Sequence, residues 1–248
     1  MNDRNSSDIN QILKSGYTVD MNGWISRGWE ICQSNLGLFI GFFLTTIGIG
    51  LVLGFIPFLG SAVSIVIGGP LNAGMLIAAF KVMKGQPLSF NDFFKGFQNS
   101  YFVPILLVTL VISAIALVCL IPAGIGFAVL AVFKEQQQLA PIVALVSILL
   151  ALVGFVAIIY LSISYSFAIP LVIGRKMPFW PAMEASRKVV GKQWFGIFGF
   201  AFVLGLINLA GALLCGLGLL VTAPLSSCAI AAAYERIFGL PSFDPSQA

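Results

Sequence analysis

Six stretches of this 248-residue chain are apolar over a length that matches a lipid bilayer. The runs 36–57, 60–81, 102–132, 141–173, 195–216 and 219–237 carry charge only at their ends. At about 1.5 Å per residue, roughly 20 such residues cross a hydrocarbon core about 30 Å thick. Lipid offers no partner to a backbone N–H or carbonyl, so runs of this kind must become helices. Composition agrees: 59% apolar and 9% charged residues leave too little polar surface for a water-soluble domain of this size. The first run is too long for a signal-peptide core and has no small-residue cleavage pattern after it, so no cleaved targeting segment is expected.

The links between runs set the pairing. Phe58 and Leu59 join the first two runs and Gly216-Leu217-Gly218 the last two, turns so short that each pair must be an antiparallel hairpin. The middle pair is longer and turns at Lys134-Glu135-Gln136-Gln137-Gln138, with Pro122, Gly124 and Gly126 marking a place to break. The expected layout is a polar tail over 1–19, one membrane domain over 20–238 with hairpins 36–81, 102–173 and 195–237, and a short tail over 239–248. Six spans put all but Lys134 of the 13 basic residues on one side, which the positive-inside rule makes the cytoplasm, with both termini there. Trp24, Trp29, Trp180 and Trp194 fall near the same helix ends, as interfacial anchors would.

Each hairpin follows an amphipathic segment. At 100° per residue, Met21, Trp24, Ile25, Gly28, Trp29, Ile31 and Cys32 oppose Asn22, Ser26, Arg27, Glu30, Gln33 and Ser34. Over 89–101, Phe90, Phe93, Phe94, Phe97 and Tyr101 oppose Asn91, Asp92, Lys95 and Asn99. From Pro181, Ala182, Ala185, Val189 and Val190 oppose Glu184, Arg187, Lys188 and Lys192. The expected fold is therefore an all-α membrane protein of six transmembrane helices in three hairpins, each preceded by a cytoplasmic in-plane amphipathic helix. Internal duplication leaves a trace. Pro70-Leu71, Ala78-Ala79-Phe80, Gly85 and Pro87 recur at the same spacing as Pro224-Leu225, Ala232-Ala233-Tyr234, Gly239 and Pro241, and the middle unit keeps Pro170-Leu171 and Gly174. Repeats in one orientation point to a rough threefold arrangement about the membrane normal.

Ala182-x-x-Ala185-Ser186-Arg187, Trp194-Phe195, Pro224-Leu225 and Ala232-Ala233-Tyr234-Glu235-Arg236-Ile237-Phe238-Gly239 resemble a broad group of bacterial six-helix membrane proteins. That group includes the membrane domain of some glycerophosphoryl diester phosphodiesterases. The resemblance is clearest over 182–239 and implies a fold and a bacterial inner-membrane setting, with no activity attached. The acidic and histidine residues of the phosphodiesterase's catalytic barrel have no counterpart in this sequence.

Chemistry needs convergent titratable groups, yet the chain has no histidine and nine acidic residues, all in termini, loops or helix ends. No enzyme activity, metal or cofactor is expected. Cys32, Cys119, Cys215 and Cys228 are scattered among apolar neighbours and read as small buried hydrophobes. The span centres hold no charge of the kind that ion-coupled transport uses. Their candidate polar positions are Asn72, after Gly68-Gly69-Pro70, where the helix could unwind, and Asn208, which lines a path or makes an interhelical hydrogen bond. Gly37-x-x-x-Gly41, Gly50-x-x-x-Gly54 and Gly74-x-x-x-Ala78 would let backbones approach within the bundle or between copies. Arg175, Lys176, Arg187, Lys188 and Lys192 are candidate lipid-headgroup contacts, although topology alone also puts basic residues there. The expected function is a non-enzymatic, lipid-contacting scaffold or partner subunit of a membrane complex. Its partners would be membrane lipids with other membrane proteins or further copies of itself, and no nucleic acid. The alternative is a permease or exporter component for an uncharged or amphiphilic substrate.

Overall fold

The computed structural model describes residues 3–56, 59–133, 139–214 and 216–241. The polar turn 134–138, residues 57–58 of the first tight turn, Cys215 and the tail 242–248 lie outside the described residues. Among the described residues the chain is helical throughout, without a strand: α1 (Asp3–Ser15), α2 (Met21–Ser34), α3 (Leu36–Gly54), α4 (Leu59–Met83), a 3-10 helix (Phe90–Phe97), α5 (Asn99–Phe133), α6 (Ala140–Ser164), α7 (Ala168–Arg175), α8 (Phe179–Lys192), α9 (Trp194–Leu213) and α10 (Leu219–Phe238). Among the described residues five stretches are long and apolar enough to cross a membrane: α3, α4 from Ala62, α5, α6 continued through α7, and α9. α10 is helical where a sixth span is expected, but Thr222, Ser226, Ser227, Glu235 and Arg236 leave it less apolar than the others.

Helix pairs run antiparallel at close approaches made by small residues. Gly126 lies against Ser147, whose hydroxyl donates to the Gly126 carbonyl at 2.7 Å, and Gly154 lies on the Cys119 carbonyl. Gly211 meets Gly218 and Thr222 across α9 and α10. Away from these seams the outer ends are bare: Phe55 is 86% exposed and Leu213 78%. That is the pattern of side chains solvated by lipid rather than by protein.

The core sits at the opposite end. Residues 73–80 of α4, Pro170–Gly174 of α7, and Cys228, Ala229 and 231–234 of α10 are buried together. The repeat-matched rings Phe80 and Tyr234 lie 5.1 Å apart, and Tyr234 covers Gly174, where a β-carbon would collide with it. Around this centre α2, the 3-10 helix and α8 each pack mainly on helices other than the one that follows them. The 3-10 helix lies on α4, with Gly74 against the Phe93 carbonyl and Gly96 against the Pro70 carbonyl. α8 lies on α6 and α7, and α2 closes the ring on α10, with Gly28 against Ala229.

Several expectations are corrected. α5 continues through Pro122 and α4 through Gly68-Gly69-Pro70, so neither unwinds. Gly69 instead lets α5 approach at Thr109. The break falls at residues 165–167, between α6 and α7, because Pro170 has no N–H for the Ser166 carbonyl. There the buried Ser186 hydroxyl of α8 donates to the Ser164 carbonyl at 2.8 Å and accepts the Phe167 N–H at 3.2 Å, satisfying both orphaned groups. The 89–101 segment is a 3-10 helix only over Phe90–Phe97, and Tyr101 belongs to α5. Trp24 is a core residue, edge-on to Phe200 at 5.1 Å, rather than an interfacial anchor. Gly37, Gly50 and Gly54 face open space, so their spacing serves no packing among the described residues. The polar tail contains α1, which docks by buried Ile9.

Candidate functional site

Asn72 follows Pro70 and Leu71 on the side of α4 that faces α3 and α10. It lines an open cavity of about 290 Å³ with Phe42, Phe43 and Thr46 of α3, Gly68, Leu71 and Met75 of α4, and Ala223 and Ser227 of α10. The Thr46 hydroxyl donates to the Phe43 carbonyl at 2.7 Å and the Ser227 hydroxyl to the Met75 sulfur at 3.4 Å. The Asn72 side chain is exposed in this opening, without a hydrogen-bond partner among the described residues. The cavity can therefore offer an amide donor and acceptor to a guest, in walls that are mostly apolar apart from the Thr46 and Ser227 hydroxyls and carry no charge.

Asn208 is not part of it. Its Nδ2 donates to the Leu204 carbonyl at 2.9 Å and to Ser226 Oγ at 2.8 Å, and Ser226 in turn donates to the Thr222 carbonyl. Adjacent residues of α10 thus face different neighbours: Ser226 bonds across to α9 and Ser227 to α4. The packing reading of Asn208 predicts that Asn208→Leu lowers stability by about 1 kcal/mol or less, the usual worth of an intramembrane hydrogen bond. Thermal unfolding in detergent measures this, and a loss several times larger would mean that Asn208 does more than join two helices.

The five basic candidates separate. Arg175 donates to the Asp8 carboxylate at 2.9 Å and to the Phe238 carbonyl at 2.7 Å, tying α1 and α10 to α7. Lys188 pairs with Glu184 at 2.7 Å on α8. Lys176, Arg187 and Lys192 are exposed. Lys176 and Lys192 lie beyond the ends of α7 and at the end of α8, whereas Arg187 borders a cleft between α5 and α8.

One cluster escaped the periodicity argument. Asp92, assigned above to the water-facing side, is buried, with Lys81 Nζ at 2.7 Å and Lys95 Nζ at 3.3 Å. The Ser89 N–H and hydroxyl donate to the same carboxylate at 2.7 and 2.8 Å. Burial by itself would raise its pKa, but the bonds from Lys81 and Ser89 outweigh this and hold it at about 2. The signal was present as Ser89-x-x-Asp92, a capping-box spacing whose acid folds back onto the helix start. Among the described residues no three potential metal ligands gather. No family model matches this chain, no curated protein matches it in sequence, and no solved structure matches its fold.

Proposed function

We propose that the chain is a six-span bacterial inner-membrane protein of the group its 182–239 segment resembles, with cytoplasmic termini, acting as a lipid-contacting scaffold for other membrane proteins. The six spans would form three hairpins, α10 being the sixth span, shielded by its neighbours. One observation carries the reading: α2, the 3-10 helix and α8 bury their apolar faces in a ring around the ends of α4, α7 and α10. This makes a rigid plate at the charged end while the outer helix ends stay open to lipid. A wide groove on that plate, lined by Arg27, Glu30, Glu235 and Arg236, offers mixed charge to a partner. Purification in mild detergent should retain one membrane protein at a fixed ratio, lost when Glu30 and Glu235 are both changed to lysine.

The cavity at Asn72 favours a second reading, a permease component for an uncharged or amphiphilic substrate. Under it, the chain purifies alone and Asn72→Cys reacts with water-soluble thiol reagents from both sides of the membrane. That pair of results would replace the scaffold reading.

A further inference from the structure

We infer that the cleft between α5 and α8 binds one anionic phospholipid, with its phosphate on Arg187 and an acyl chain along α5. The inference rests on the proposed membrane setting, in which the charged end of the bundle lies at headgroup level. The cleft holds about 210 Å³ and is lined by Val111 and Ile115 of α5, Tyr165 at the α6–α7 break, and Trp180, Met183, Glu184 and Arg187 of α8. Of the basic residues near α8, Arg187 combines exposure with an apolar floor; Lys188, also exposed, borders a different cleft, against α1. Arg175 is committed to Asp8 and Phe238, and Lys188 to Glu184. The Glu184 carboxylate also faces the cleft, but Lys188 offsets it, so the group of three keeps one net positive charge.

Neighbouring side chains complete an amphiphile's outline. Tyr165 offers a hydroxyl without a hydrogen-bond partner among the described residues, and Trp180, 61% exposed, stands at the mouth as interfacial tryptophans do. The volume is small for a whole ligand, so the cleft takes the phosphate and glycerol region only. The rest has a track. Val111, Ile115, Val118 and Ile125 share one face of α5, and the last two are 63% and 57% exposed. This stripe leads away from the end that carries Lys81, Lys95 and Arg175, toward the bare apolar ends of the helices. An anionic headgroup fits better than a zwitterionic one, whose terminal cation would meet Arg187.

Native mass spectrometry of the chain released from nanodiscs of equal phosphatidylglycerol and phosphatidylcholine tests this. One phosphatidylglycerol should be retained per chain. Arg187→Gln should cut retention about tenfold, the loss of one charge-assisted contact. Ile115→Trp, which keeps the charge but fills the cleft, should do the same, while Lys192→Gln should change nothing. Unchanged retention in Arg187→Gln, or equal losses in Arg187→Gln and Lys192→Gln, would overturn the site. So would displacement by free glycerol phosphate combined with normal retention in Ile115→Trp, which would mean a phosphate site with no lipid track. Failure of the membrane setting itself would look different, because no variant would then enter the nanodiscs. Circular dichroism of each variant checks that the helices are intact.

Discussion

Gly28→Leu is expected to lift α2 off the bundle and lower stability by about 3 kcal/mol or more. A β-carbon at this position would stand 2.6 Å from both the Cα and the N of Ala229, and backbone atoms in the middle of α10 cannot step aside. The two helices must separate, which uncovers Trp24, Ile31 and Cys32, each 2% exposed or less. Two readouts apply: the melting temperature in detergent, and the reaction of Cys32 with a thiol dye, which should become fast. Gly48→Ala is the control, since nothing lies within 4 Å of that position. A Gly28→Leu protein that melts with the wild type and keeps Cys32 protected would show that the α2–α10 contact is not what holds this end together.

Asp92→Ala should cost a similar amount, about 3 kcal/mol, because it strands the Lys81 ammonium where the side chain is 12% exposed. The double change Lys81→Met with Asp92→Leu should recover much of the loss, since a buried pair is worth little more than well-packed apolar groups. The pH dependence follows from the direction of the shift. The folded pKa of Asp92, about 2, lies below the ordinary 3.8, so its contribution is complete above about pH 4 and fades as pH falls toward 2. Wild-type protein should therefore lose stability across that interval faster than Asp92→Ala does. Parallel curves for the two proteins would remove the carboxylate from any role in holding the 3-10 helix to α4.

The apolar runs located the long helices closely because lipid imposes one rule on every residue in them. The errors cluster where protein replaces lipid as the neighbour. Trp24 and Trp29 lie five apart on one amphipathic segment, and periodicity treats them alike. Which of them meets Phe200 and which meets solvent depends on how α2 lies against α9 and α10, which a period cannot encode. The sequence points to Pro122 for the break that falls at residues 165–167, for a related reason. A helix can break at membrane depth where another group takes up the backbone atoms left at the break, and here Ser186 of α8 does so for the Ser164 carbonyl and the Phe167 N–H. The Asn72 cavity was half legible: the polar residue stood out, but the wall that α3 and α10 supply did not. α1 is illegible in the sequence although Ile9, Ile12 and Leu13 keep helical spacing ahead of Gly16, because a short polar segment gains its helix only by docking.

The ring of amphipathic segments also sets a timetable. Its closing contact joins Gly28 to Ala229, about two hundred residues apart, and a ribosome adding roughly 5–20 residues per second needs on the order of ten seconds or more to travel that distance. Through that interval Trp24, Ile31 and Cys32 lack the α10 surface that covers them in the finished fold, and the face of the bilayer is another apolar cover within reach. The final seat of the segment is thus completed only once α10 has been made. A chain cut short before α10 would carry its defect at the other end, as an unplaced α2.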